Sequence, residues 1–156
     1  MSLTGISANR LELLHGQWLG GSHVFDESDC WMLIGTNPLV AISGGIPHAN
    51  PARRLERAQA RGLQLIVIDP RRSETAKRAA LHLQPRPGSD PAVLAGILRE
   101  LMAEGFVDSD FVRENVDGFA ALERAVAPFT PEIVAARADG PADAIREAAR
   151  LFGSAR

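Results

Sequence analysis

Three short polar segments hold the groups in this sequence that are best suited to chemistry, and each directly follows a predicted strand. They are Gly35-Thr36-Asn37-Pro38, Asp69-Pro70-Arg71-Arg72-Ser73 and Pro87-Gly88-Ser89-Asp90. Ligands of open parallel sheets bind outside the carboxyl ends of the strands, so the three segments are expected on one edge of a sheet. Their amides, hydroxyls, arginines and carboxylates suit the binding of an anionic nucleotide. The spacing indicates no pair of nucleophile and base.

The first two segments suit phosphate and ribose. A glycine directly after a strand lets the backbone approach a phosphate closely, and the Thr36 hydroxyl can donate to it. Asp69 is placed to accept hydrogen bonds from a ribose diol, while Arg71 and Arg72 can add charge-assisted contacts to phosphate. A plain turn after the first strand, a strand-end turn or helix cap at Asp69, and ordinary surface arginines explain the same residues. Both interpretations stay open at this point.

The third segment suits a base. Guanine presents two adjacent donors, its N1–H and its 2-amino group, and one carboxylate can accept from both. Asp90 is therefore a candidate for selecting guanine over adenine. Capping of the helix that follows is the alternative role for this residue.

Other reactive residue types are sparse. His48 could be a ligand or a proton carrier, although a lone loop histidine is more often structural or solvated. Cys30 is the one cysteine, which excludes an internal disulfide, and its place in a predicted strand indicates a small buried apolar residue. The four histidines suggest no metal-binding pattern, and the Gly-x-Gly-x-x-Gly fingerprint of dinucleotide-binding domains is missing.

Length and composition favour one soluble globular domain. The chain has 156 residues, of which 46% are hydrophobic and 23% charged. No segment approaches the roughly 20 apolar residues that cross a bilayer, and no signal peptide is recognisable, so a cytoplasmic location is the default. Residues 51–88 carry nine Lys and Arg against three acids, a local charge of +6. This excess suits an anionic ligand, and equally a solvated helix face.

The elements that must position these loops alternate between strand and helix. Cys30 to Ile34 is typical of a strand buried on both faces, Pro51 to Arg61 of a helix, and Leu65 to Ile68 of a second strand. This is a βαβ unit. A short helix near Ser73 to Ala80 and a strand at Leu81 to Gln84 follow. The next helix is capped by Asp90, has Pro91 at its first position and carries an apolar stripe of Leu94, Ile97, Leu98 and Leu101. The remaining elements are helices at 108–115, at 119–127, from Thr130, and at 141–152. The pattern predicts a three-layer Rossmann-like α/β domain with a mainly parallel sheet and a helical C-terminal portion.

Taken in order, these segments resemble a known family. They are Asp29 with the strand into Gly35-Thr36-Asn37-Pro38, Arg53-Arg54-Leu55, Ile66-Val67-Ile68-Asp69-Pro70-Arg71-Arg72-Ser73-Glu74-Thr75-Ala76, and Leu81-His82-Leu83 followed by Pro87-Gly88-Ser89-Asp90. The set is similar to the molybdopterin oxidoreductases, the superfamily of formate dehydrogenase and dimethyl sulfoxide reductase. The resemblance runs from about Asp29 to Ala155. Residues 29–156 are thus expected to form a molybdopterin guanine dinucleotide-binding domain, and residues 1–28 an irregular lead-in from a truncated upstream region.

The resemblance implies a role in a larger molybdenum or tungsten enzyme. By position, Gly35 to Pro38 would face the phosphates, Asp69 to Ser73 the ribose and phosphate, and Gly88 to Asp90 the guanine of one arm of bis(molybdopterin guanine dinucleotide). The parent would be an oxidoreductase, whereas this segment alone would be inactive. Its partners would be the cofactor, the remaining domains and electron-transfer subunits, with no nucleic acid. An iron–sulfur cluster is expected in the missing N-terminal part, and the parent could act in the cytoplasm or the periplasm.

Departures from the family pattern leave two other classes of protein open. No four-cysteine iron–sulfur motif and no metal-ligand residue is recognisable, Ala80 stands where the family commonly has Asp, and the loop from Leu39 to Asn50 is longer than in formate dehydrogenases. A non-catalytic Rossmann-like assembly domain, similar to the middle domain of thiamine-diphosphate enzymes, explains the βαβ pattern but not the set of loops. A small independent hydrolase lacks a recognisable nucleophile.

Overall fold

A parallel sheet lies at the centre of the domain. The computed structural model describes residues 28–41 and 50–155. Within these ranges the strands β1 (Cys30–Ile34), β2 (Gln64–Ile68) and β3 (Leu81–Leu83) lie in the order β1-β2-β3. Ile68 is aligned with Ile34 on one side and with Leu83 on the other. The strands therefore end at the same level, and the segments that follow them start side by side.

Helices follow the strands and then fill the C-terminal half. Their bounds are α1 (Pro51–Ala60), the 3-10 helix η1 (Ala76–Arg78), α2 (Asp90–Ala103), α3 (Ser109–Asn115), α4 (Phe119–Val126), α5 (Pro131–Ala138) and α6 (Ala142–Gly153). The order of elements and the helical C-terminal portion confirm the prediction from sequence. None of the described helices is both long enough and apolar enough to span a bilayer.

The central strand β2 separates two hydrophobic cores. Because successive strand residues point to opposite faces, Leu65 and Val67 pack with α1, whereas Ile66 and Ile68 pack with α2, α5 and α6. All four side chains are fully buried. Helices thus cover both faces of the sheet, which confirms the three-layer α/β fold.

The buried face of α2 differs from the predicted leucine stripe. The buried residues are Ala92, Val93, Gly96, Ile97 and Glu100, whereas Leu94, Leu98 and Leu101 are only half-buried. Of the predicted set, Ile97 is buried, Leu94 and Leu101 are partly buried against the same core, and Leu98 is not part of that core. The cause is close packing, since a Cβ on Gly96 would lie 2.8 Å from Cγ2 of Val134 and 3.4 Å from Cγ2 of Ile145. Small residues let α2 approach α5 and α6, and the larger leucines lie beside that contact.

Two local predictions are also corrected. Ser89, not Asp90, is the N-cap of α2, and Asp90 is its first residue. The predicted helix at 73–80 is reduced to η1, because Ser73 Oγ accepts from the Ala76 amide at 3.3 Å and Asn37 Oδ1 accepts from the Thr75 amide at 3.3 Å. Side-chain bonds of this kind compete with helical ones. Residues 1–27 of the predicted lead-in, and His48, lie outside the described residues.

Candidate functional site

The first two polar segments start side by side at the carboxyl edge of the sheet. The Gly35 amide donates to the Ile68 carbonyl at 2.9 Å, and the Asp69 amide donates to the Leu83 carbonyl at 3.1 Å. These bonds continue the β1–β2 and β2–β3 ladders by one residue. Neighbouring strands lie about 4.8 Å apart, so the starts of the first two segments fit within the reach of one nucleotide, and the third segment begins four residues after β3.

The first segment has open space beside its backbone at Gly35. Gly35 has a φ of +60°, and a Cβ built on it would meet no atom within 4 Å. Thr36 is half-buried, and its hydroxyl has no hydrogen bond to any of the residues described. Pro38 is buried. Gly35 and Thr36 therefore combine the approach space and the donor that a phosphate needs.

Asn37 differs from its neighbours because its side chain is already engaged. Its Nδ2 donates to Glu74 Oε2 at 2.7 Å, and its Oδ1 accepts from the Thr75 hydroxyl at 2.6 Å and from the Thr75 amide at 3.3 Å. Sequence reasoning missed the part that Glu74 and Thr75 play in this cluster. Nothing local indicates it, since Asn37 and Thr75 lie 38 positions apart.

The second segment is built around a nearly buried carboxylate. Asp69 is 5% exposed, its Oδ1 accepts from the Arg71 amide at 2.8 Å, and the Arg71 guanidinium lies 4.0 Å from the same oxygen. Two side chains reach across from β3 and its C-terminal end. His82 Nε2 donates to the Asp69 carbonyl at 2.9 Å, and Gln84 Nε2 donates to the Pro70 carbonyl at 3.3 Å. The turn predicted as an alternative for Asp69 is thus present, and the carboxylate still lies at the edge.

The cations and the hydroxyl of the second segment lie in different surroundings. The Arg71 side chain is 76% exposed. Arg72 is also exposed and makes no hydrogen bond or ion pair within residues 28–41 and 50–155. Ser73 is buried, and its hydroxyl accepts from the Ala76 amide. Arg72 is therefore available to an anion, whereas Ser73 stabilises the start of η1.

The third segment turns sharply into α2. Ser89 donates its amide to the Arg86 carbonyl at 3.0 Å, and Gly88 between them has a φ of +86°. Proline followed by glycine at positive φ is typical of a type II turn. The Ser89 side chain makes no capping bond, and the half-buried Asp90 carboxylate has no partner in the part of the chain that the structure describes. Asp90 therefore does not cap α2, which was the alternative role for this residue.

Metal and thiol chemistry have little support among the described residues. These ranges contain no group of three or more His, Cys, Asp and Glu side chains placed to hold a metal ion. Cys30 is half-buried against the core, and desolvation by burial raises the pKa of its thiol. A raised pKa makes the nucleophilic thiolate scarcer.

Sequence and structure comparisons agree on one family. Residues 4–148 match the family model described as molybdopterin oxidoreductase. The chain belongs to the molybdopterin oxidoreductases. The F420-dependent formate dehydrogenase 1 subunit alpha of Methanococcus maripaludis is 37% identical over 83% of this chain, and formate dehydrogenase H of Escherichia coli is 31% identical over 84%. Acetylene hydratase from Pelobacter acetylenicus is a structural neighbour, with a TM-score of 0.78, 30% identity and coverage of 97% of this chain.

The matched relatives are also much longer than this chain. It covers 18% of each of the two formate dehydrogenases and 20% of the acetylene hydratase chain. The chain thus spans about a fifth of the length of the relatives it matches. The resemblance inferred from the loops is confirmed, and family membership decides against the thiamine-diphosphate-type domain and the small hydrolase.

Proposed function

We propose that this chain is the nucleotide-binding part of a larger molybdenum or tungsten enzyme and holds a guanosine diphosphate arm of its molybdopterin guanine dinucleotide cofactor. Family membership supports a molybdopterin cofactor, and the chain's share of its relatives' length supports a larger parent. The proposal includes bis(molybdopterin guanine dinucleotide), an iron–sulfur cluster held elsewhere in the parent, and electron-transfer partners. Without those parts the chain is expected to be catalytically inactive.

The residues at the sheet edge fit the diphosphate and ribose. Gly35 has open space where a phosphate would approach, Thr36 has a free hydroxyl in the described structure, and Arg72 has no competing anion there. Asp69 keeps a carboxylate at the end of β2, where ribose hydroxyls are met in dinucleotide folds. These groups bind and orient the nucleotide. The metal held by the pterin supplies the redox chemistry when bound.

The unpartnered Asp90 carboxylate carries the proposal. A half-buried carboxylate that neither caps its helix nor forms an ion pair within the described structure can accept from both the N1–H and the 2-amino group of guanine. Adenine offers no matching pair of donors. Asp90 begins the helix that follows β3, the strand beside the one that ends at Asp69, so the proposal puts the base and phosphate sites on one surface.

Titration of the 156-residue chain with GDP and ADP tests this assignment. The unaltered chain is expected to prefer GDP, and Asp90→Ala is expected to reduce its GDP affinity about tenfold or more, since hydrogen bonds to a charged group contribute roughly 1.5–3 kcal/mol. Isothermal titration calorimetry measures both affinities. Asp117→Ala is the matched control, because this exposed aspartate lies away from the edge, just before α4. Equal GDP and ADP affinities in the unaltered chain would contradict the role of Asp90.

A further inference from the structure

A side-chain cross-link joins the first two segments of the edge. We call it the loop latch and define it by Asn37, Glu74 and Thr75. The Asn37 amide group donates to Glu74 and accepts twice from Thr75, and the Thr75 hydroxyl in turn accepts from the Leu39 amide at 3.4 Å. The latch therefore ties the Asn37 side chain, and the backbone just after the first segment, to the chain that follows Ser73.

Burial separates latch residues from ligand contacts. Thr75 is fully buried, so a ligand at the edge cannot touch its side chain. Both the amide oxygen and the amide nitrogen of Asn37 have partners within the latch. The side chain with a free polar group in this segment is the neighbouring Thr36, as far as the described residues show.

Glu74 fixes the direction of the Asn37 amide. With the carboxylate on one side and the Thr75 hydroxyl on the other, Nδ2 must face Glu74 and Oδ1 must face Thr75. Hydrogen bonds from its own backbone amide and from Asn37 lower the pKa of Glu74, so the acceptor stays ionised at neutral pH.

We propose that Asn37 and Thr75 are positioning residues, whose bond holds the Gly35-Thr36 phosphate segment in register with the Asp69–Ser73 ribose segment before a nucleotide binds. This inference rests on the proposed function and assigns Asn37 an indirect part in it. Ordering a backbone residue costs conformational entropy, so a segment fixed in advance binds more tightly than one that a ligand must order.

A comparison of side-chain deletions on the two sides of the latch tests the proposal. Asn37→Ala and Thr75→Val both remove the bond between Asn37 Oδ1 and the Thr75 hydroxyl, and each is expected to weaken GDP binding by the 156-residue chain about threefold to tenfold, the effect of that one bond. The double variant is expected to bind no more weakly than either single one, because both remove the same bond. Thr75→Ser retains the hydroxyl and is expected to retain the affinity.

Thr130→Val is the matched control. This threonine caps α5 through a bond of 3.4 Å from the Ile133 amide, in a helix that packs on α2 and α6 rather than at the loop edge. Its loss is expected to lower the melting temperature while leaving GDP affinity unchanged. A purely structural role of Thr75 predicts the same result for Thr75→Val, and that result would overturn the latch.

Amide hydrogen exchange without ligand separates the latch from the proposed function. The Leu39 and Thr75 amides, which bond within the latch, are expected to exchange about tenfold faster in Asn37→Ala, the effect of losing roughly 1.4 kcal/mol of local stability. Unchanged exchange would overturn the latch alone. If the unaltered chain does not bind GDP but amide exchange is faster in Asn37→Ala, the proposed ligand would be overturned and the structural cross-link would stand. Weaker binding in Asn37→Ala but not in Thr75→Val would make Asn37 a direct contact.

Discussion

The polar side chains at the carboxyl edge of the sheet divide into those that already have protein partners and those that do not. Asn37, Asp69 and Ser73 form turn and cross-link bonds. Thr36, Arg72 and Asp90 have no hydrogen bond or ion pair among the residues described. The first set gives the edge its shape, and the second set is available to a ligand. Asp69 belongs to both, because its turn bond uses Oδ1 and leaves Oδ2 for a ligand.

Gly88 is a position where backbone conformation should make a single added methyl group costly. Its φ of +86° is reached by L-residues at a cost of roughly 1–2 kcal/mol. Gly88→Ala is expected to lower the free energy of unfolding by about that amount, as measured by urea denaturation. Gly140→Ala is the control, because a Cβ there meets no atom within 4 Å and φ is not positive. Equal losses in the two variants would show that the turn geometry is not the cause.

At the scale of elements, the close packing of α2 against α5 and α6 supports the strands from which the polar segments start. Residues of these three helices share one core with Ile66 and Ile68 of β2 and Leu83 of β3, the last residues before two of the polar segments. Gly96 is the point of contact, with Val134 on α5 and Ile145 on α6. Side-chain volume at Gly96 thus controls how α2, and with it Asp90, lies on the sheet.

Gly96→Ala should destabilise the domain although alanine is the better helix former. Overpacking costs roughly 1–3 kcal/mol and the gain in helix propensity is roughly 1 kcal/mol, so a net loss of about 1 kcal/mol is expected. Val134 is fully buried and its methyl group cannot move into solvent. In a double-mutant cycle by urea denaturation, Gly96→Ala with Val134→Ala is expected to lose less than the sum of the single losses. Additive losses would argue against the contact.

At the scale of the whole molecule, charge is distributed unevenly between residues 51–88 and the C-terminal portion. Residues 51–88 carry a charge of +6, whereas residues 89–156 carry seven Arg against twelve acids, a charge of −5. In the C-terminal portion, Arg146 of α6 bonds to Glu132 of α5 and to Asp143 at 3.0 Å. Ion pairs thus join elements in the acidic half, while Arg72 in the basic half has no anion among the described residues.

Acid should weaken the folded chain in a predictable range. Hydrogen bonds from its own backbone amide and from Arg146 lower the pKa of Glu132, and the pKa of Glu74 is lowered as well. Because both folded-state values lie below the ordinary 4.5, their stabilisation is complete above pH 4.5 and is lost as pH falls through the folded values. Unfolding in urea from pH 7 to pH 3 measures this loss.

Glu132→Gln is expected to be less stable than the unaltered chain at pH 7 and to lose less stability on acidification. Glu104→Gln is the control, since this exposed side chain at the end of α2 has no partner in the described structure. An identical acid profile for Glu132→Gln and the unaltered chain would exclude the Glu132–Arg146 pair as a source of the pH dependence.

The sequence by itself determined the family and the order of elements. Strand and helix periodicity is a local property, so β1, α1, β2 and the C-terminal helices could be placed to within a residue or two. The ordered set of three polar segments was more specific than any one of them. Parallel strands with connecting helices also require the chain to leave each strand at the same edge, and the aligned strand ends confirm this.

The tertiary structure alone decided which polar groups are free and which face of α2 is buried. Asn37 meets Thr75 across 38 positions, and Gly96 meets Val134 and Ile145 through helix packing. Such contacts depend on how elements far apart in sequence are aligned in space, and hydrophobic periodicity does not predict that alignment. From the sequence alone, Asn37 and Asp90 have the same candidate role, whereas in the fold the Asn37 side chain has protein partners and the Asp90 side chain has none among the described residues.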